Sequence, residues 1–239
     1  MRIITGIPVK VLVLVTLFSI AMGYLESAVV IYMREILYPE GFAFPLAPIE
    51  MDLAITEIFR EAATLIMLLG IGLLAGKTPS EKFAWFLYSF AIWDIFYYVF
   101  LKLLIGWPAS LLTWDILFLI PVTWVGPVIT PVIVALTMVL LALILVYFNR
   151  TTGKAKIILR EWAVLILGSV VLILAWTWDY SGYILEHFSF REIWTLPMGE
   201  LYQVAQDYIP RKFNWGIYTL GEFIVLSGIA LIFIRLRKN

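Results

Sequence analysis

A chain of 239 residues that is 63% hydrophobic and 14% charged, with a mean hydropathy of +0.98, has too little polar surface for a soluble domain. Its 17 basic and 17 acidic residues cancel, and no basic patch suggests a nucleic-acid partner. The absence of cysteine removes disulfides, thiolate metal sites, iron–sulfur clusters and a cysteine nucleophile together. The composition describes a single integral membrane domain whose first partner is the lipid bilayer.

Six apolar runs are long enough to cross about 30 Å of hydrocarbon at 1.5 Å per residue. They extend from Val9 to Met33, Leu53 to Ala75, Phe83 to Ile105, Pro127 to Phe148, Trp162 to Trp178 and Trp215 to Phe233. Ten Trp, twelve Tyr and sixteen Phe, many near the ends of these runs, fit the aromatic belts of a membrane interface. The first run has the basic start of a secretory signal, but it continues well past a signal's usual apolar length and reads as a retained helix.

Basic residues give the orientation. Arg2, Lys10, Lys77, Lys82, Arg150, Lys154, Lys156, Arg160, Arg235, Arg237 and Lys238 all fall on one side, and the opposite side and outer helix halves hold six cations. The positive-inside rule then predicts an all-α bundle with both termini cytoplasmic. Among the acids, only Glu81 and Glu161 share the cytoplasmic side.

Five carboxylates lie within the spans: Glu26, Glu57, Glu61, Asp94 and Glu222. A charged side chain at a helix centre costs roughly 2.5–3.5 kcal/mol even on an insertion scale, so these residues need a partner, water or a function. Counting from the nearest cytoplasmic cation puts Glu26 and Glu61 about 24 Å deep, and Asp94 and Glu222 about 18–20 Å deep. Glu57, Arg60, Glu61 and Thr64 share one face of the second helix. Tyr97 and Tyr98 accompany Asp94, and Tyr218 and Thr219 accompany Glu222.

The sequence therefore predicts one site in the outer half. Its five acids are candidate catalytic groups, and Arg60, Tyr97, Tyr98 and Tyr218 are candidate substrate contacts. Glu26, Glu61, Asp94 and Glu222 could hold a divalent cation. Five acids against Arg60 and Lys102 leave a formal charge of −3, which a low-dielectric site tolerates only if acids are protonated, wetted or bound to a cation. A purely structural ion-pair clasp is the competing reading.

The inner halves, at 66–75, 83–93 and 223–233, carry no Asp, Glu, Lys, Arg or His. That disfavours a through-passage and points to a cavity open outward. Gly70, Gly72 and Gly76 suit close helix packing. In the outer connection at 106–127, Pro108 fits a helix start and Pro121 a stop, so this segment is expected to form a re-entrant or interfacial half-helix. Asp115 on it is either a surface acid or, if the segment dips inward, a member of the cluster. In the last outer loop Leu201, Val204, Ala205, Tyr208 and Ile209 face away from Glu200, Gln203, Gln206 and Asp207, as in an amphipathic interfacial helix.

The sole histidine, His187, is read as solvated or locally bonded, which leaves no bis-histidine haem, and no ExxH pair marks a di-iron centre. Common nucleotide, hydrolase and zinc-protease motifs are missing. The stretches YLESAVVIYMREILYPEGFAFPL (24–46) and WDIFYYVFLKLLIGWPASLLTWD (93–115) resemble prokaryotic integral membrane proteins without an assigned activity. That resemblance implies a prokaryotic plasma membrane and supplies no residue role. Three function classes follow: an embedded enzyme or cation-binding site acting on a lipid-associated or extracytoplasmic substrate, a proton- or cation-coupled transporter, and a non-catalytic scaffold.

Overall fold

The computed structural model describes residues 7–120, 122–153, 155–193, 195 and 198–238, without the side chains of 198, 199, 201 and 202. Arg2, Pro121, Lys154 and the Leu201 side chain, all used above, lie outside the described set. Six helices are long and apolar enough to span a membrane: α1 (Val9–Leu37), α2 (Met51–Ala75), α3 (Pro79–Ile105), α4 (Ile129–Thr152), α5 (Leu159–His187) and α8 (Trp215–Lys238). The chain is an all-α, multi-pass membrane bundle. Between these helices lie a hairpin of β1 (Trp114–Phe118) and β2 (Trp124–Pro127) and two short helices, α6 (Phe190–Ile193) and α7 (Met198–Gln206).

Helix α3 is the hub, packing against α1, α2 and α4, while α5 and α8 form a second close pair. Small residues set these approaches, because dispersion between closely approaching backbones is a main attraction available inside lipid. On α1, a Cβ at Gly23 would sit 3.0 Å from the Trp93 carbonyl oxygen, and Ser27 one turn later donates to the Tyr97 carbonyl at 3.0 Å. On α2, a Cβ at Gly72 would meet the Phe86 backbone nitrogen at 2.7 Å. Gly168 and Gly221 bring α5 and α8 equally close. Gly70 differs from the expectation: nothing lies within 4 Å of where its Cβ would be, so it packs against no neighbouring helix.

The two ends of the bundle are built differently. At the end that carries Val9 and Lys238, Glu81 pairs with Arg150 at 2.5 Å and Glu161 with Arg235 at 2.6 Å, fastening α3 to α4 and α5 to α8. Each glutamate also accepts a backbone N–H at its own helix start, from Lys77 and Ile158 respectively. Above these clasps an apolar core forms around Trp85, Leu145 and Ile232. A further layer of Met22, Leu68 and Trp93, with Phe18, Phe86 and Phe90 against it, closes the bundle beneath the opposite, hairpin end.

The half-helix expected at 106–127 is instead an antiparallel hairpin with Asp115 opposite Gly126 and a bulge between Ile116 and Phe118. Its apolar run is rich in β-branched and aromatic residues, and periodicity alone does not separate a short buried strand from a helix. Gly126 leaves room for Phe213 and Trp176, and Trp124 stacks on Trp176 at 5.5 Å. The amphipathic helix is present as α7 but stops at Gln206. Tyr208 beyond it is buried, whereas Ile209, expected on the same apolar face, is exposed because the helix has already ended.

Candidate functional site

The buried positions of α2 are Glu57, Glu61, Thr64, Leu68 and Gly72, a single stripe directed at α3. Gly72 and Leu68 bring the lower half of this stripe into contact with α3, so the acids above are held against the same helix. Gly23 and Ser27 do the same for α1, and Glu26 between them lines the same cavity as Asp94 and Tyr97. The hairpin and the connection at 38–50 cover what lies between. The result is a cavity of about 390 Å³ that includes Glu26, Glu57, Arg60, Glu61, Asp94, Tyr97, Tyr98 and Asp115 in its lining.

Two guanidinium groups organise it. Arg60 donates through Nη1 to Glu26 of α1 and through Nε to Glu57 of its own helix at 2.6 Å. Thr64 adds a bond to Glu26 at 3.4 Å. Arg34 of α1 donates to Asp115 Oδ1 at 3.1 Å and lies between the rings of Trp107 and Phe42, 3.9 and 4.3 Å from their centroids. The Tyr98 hydroxyl donates to the other Asp115 oxygen at 3.2 Å. Burial pushes the Asp115 carboxyl up to about 6, against the opposing pull of Arg34 and the Tyr98 bond.

Three carboxyls keep an oxygen without a hydrogen bond from any described residue: Glu57 and Glu61 at Oε1, and Asp94 at both. Glu61 Oε2 accepts the Leu119 N–H at the hairpin's edge at 3.0 Å, which ties the cover to α2. Asp94 lines the cavity and takes no hydrogen bond from any described residue. Asp94 is half-buried, and an acid that only held helices together would be bonded, as the other four in the cavity are. Asp94 is therefore the group most available for chemistry.

The membership differs from the sequence expectation in two exchanges. Glu222 and Tyr218 line no part of this cavity: Glu222 accepts a bond from Thr137 of α4, with its second oxygen buried and unpaired, and Tyr218 donates to the Thr130 carbonyl at 3.0 Å. Lys102 also lies elsewhere, donating to the carbonyls of Gly106 and Pro108 at the end of α3. In their place stand Asp115, 2% exposed and so not a surface acid, and Arg34, which the sequence reading counted only among the peripheral cations. Five carboxylates and two guanidiniums still meet, with a formal charge of −3 when all are ionised.

The proposed metal set is not assembled. Among the described residues no three His, Asp or Glu side chains converge where an ion could sit, and Glu222 is on another helix pair. Arg60 is engaged by two carboxylates, so it organises the site instead of presenting a free cation to an anionic substrate. His187 Nδ1 lies 2.9 Å from the Tyr183 carbonyl oxygen one turn back, a local bond. The signal that could have revealed Arg34 is its place on α1, eight residues or about two turns beyond Glu26, and therefore close to the same helical face. Comparison with known proteins finds no matching family model, curated protein or solved structure.

Proposed function

We propose that this protein is a membrane-embedded enzyme whose cavity works on a lipid-associated substrate at the extracytoplasmic face of a prokaryotic plasma membrane, with both termini cytoplasmic. The observation that carries the reading is Asp94, a half-buried carboxyl that takes no hydrogen bond from any described residue, on the wall of a cavity of about 390 Å³. In this reading Asp94 is the acid–base group. Glu61, oriented by the Leu119 N–H, is the second carboxyl, and two such groups with different surroundings can give and take a proton in turn. The Arg60–Glu26–Glu57 and Arg34–Asp115–Tyr98 networks are positioning elements that hold the walls. The distribution of basic residues supports the orientation.

The apolar layer of Met22, Leu68 and Trp93 speaks against the transporter reading, since it separates the cavity from the end that carries the clasps. The free valence of Asp94 speaks against a scaffold. The test is a comparison of total membrane lipids, by mass spectrometry, from cells expressing the protein, its Asp94→Asn variant, or neither. One lipid class should be depleted and a product should appear only with the unaltered protein. Identical profiles in all three, with both proteins folded and in the membrane, would overturn the assignment.

A further inference from the structure

The walls of the cavity divide by chemistry. Its base carries the acids, while Met33 and Leu37 of α1 and Ile55 and Ile58 of α2 form an apolar side. These two helices each pack on α3 but touch one another sparsely, and the polar bonds between them come from Arg60 and Thr64 to Glu26. Ile55 and Ile58 line the cavity and remain 40% and 43% exposed, so the α2 wall is continuous with the bilayer-facing surface. The lining also includes Phe42 and Leu46, Ile116 and Leu119 of the hairpin segment, and Gln206 at the end of α7.

Charge decides the head group. Arg60 is taken by Glu26 and Glu57, while Arg34 is paired through Nη2 with Asp115 and stacked on Trp107 and Phe42, its buried Nη1 without an acceptor among the described residues; the formal excess of −3 in the lining then favours a cation over an anion. A compact metal ion needs several converging ligands, which the described residues do not supply. An ammonium needs only acceptors spread over a wider space, and Asp94 and the second oxygen of Glu61 are such acceptors. A volume of about 390 Å³ equals roughly 13 waters at about 30 Å³ each. That holds a head group and the first methylenes of a chain, with the remainder lying along the exposed Ile55 and Ile58 wall of α2.

On the enzyme reading above, we propose that the substrate class is an ammonium-headed membrane amphiphile, which enters sideways from the bilayer between α1 and α2 and sets its head against Asp94 and Glu61. The probes are dodecylammonium, dodecanol of the same chain length, butylammonium and calcium, added to protein in a neutral maltoside detergent and followed by thermal shift and native mass spectrometry. Dodecylammonium should bind saturably, at least tenfold more tightly than dodecanol or butylammonium. Asp94→Asn should remove the preference over dodecanol, and Asp94→Glu should retain it. Ile58→Trp, which enlarges the side chain on the exposed α2 wall, should weaken dodecylammonium and leave butylammonium unchanged. Glu222→Gln, away from the cavity, should bind as the unaltered protein does.

Equal binding of dodecanol and dodecylammonium overturns the head-group assignment, and equal binding of butylammonium overturns the sideways route. Saturable calcium binding that excludes dodecylammonium would make the acids an inorganic cation site instead. Binding with the stated preference but unchanged cellular lipids removes the enzyme reading and keeps this one. Conversion of a neutral or anionic lipid does the reverse.

Discussion

Replacing Arg60 by Met removes the one cation shared by Glu26 and Glu57, whose side chains are each 11% exposed, and keeps most of the apolar stem. Abandoning a buried partner costs about 3–5 kcal/mol. The loss has a ceiling, because each stranded carboxylate can take up a proton. From an ordinary Glu value of about 4.3, protonation costs roughly 3.7 kcal/mol per group at pH 7 and about 1 kcal/mol at pH 5. The stability gap between the protein and Arg60→Met should therefore be about 3–5 kcal/mol at pH 7 and at most about 2 kcal/mol at pH 5. For a chain of this size 1 kcal/mol moves Tm by about 2–4 °C, so the gap should narrow from at least about 6 °C as pH falls. Thermal unfolding followed by intrinsic fluorescence in detergent at both pH values measures it. Glu26→Gln combined with Arg60→Met should show a shallower pH dependence, because one stranded acid has been removed. A gap that does not change with pH, or no gap at all, would refute the picture of a desolvated clasp.

Asp115 gives a second pH effect of defined sign. Its folded value of about 6 lies above the ordinary 3.8, so the folded state holds the proton more tightly and stability falls as pH rises from about 4 to about 6. The full term is about 3 kcal/mol, and Asp115→Asn should flatten the stability curve over that interval by a comparable amount. Gly168→Ile drives a branched side chain onto Val225, whose backbone nitrogen would lie 2.9 Å from the new Cβ. It should cost about 1–3 kcal/mol or more and show as aggregation or early elution in size-exclusion chromatography. Glu222→Gln keeps the oxygen that accepts from Thr137 and replaces the buried, unpaired one, so unfolding measurements should register a change of no more than about 1 kcal/mol.

The spans were legible because length and hydropathy suffice for them, and the helices differ from the predicted runs mainly by extending at their ends. Helix α5, read to Trp178, continues to His187 because Tyr183 and Ile184 pack under the hairpin, a contact between distant segments that no local pattern announces. Depth counting placed Glu222 level with Asp94, and depth is all that counting gives. The lateral position of a helix depends on which neighbour it packs against, and α8 belongs with α5 through Gly168 and Gly221. Glu26 and Asp94 could be joined because Gly23 and Ser27 form a small-xxx-small face, a signal present in the sequence. The hairpin was hidden for the opposite reason: its residues are apolar on both faces, so neither a period of two nor one of 3.6 stands out.

The layer of Met22, Leu68 and Trp93 makes the cavity a cup with a closed base. A charge carried the whole way across a polarised bilayer would gain or lose about 2.3 kcal/mol per 100 mV. One that arrives and departs by the same mouth returns to its starting potential, so a complete turnover performs no net electrical work. Dissipating the membrane voltage should leave the steady-state rate of such a protein where it was, in contrast to any electrogenic carrier built from the same six helices.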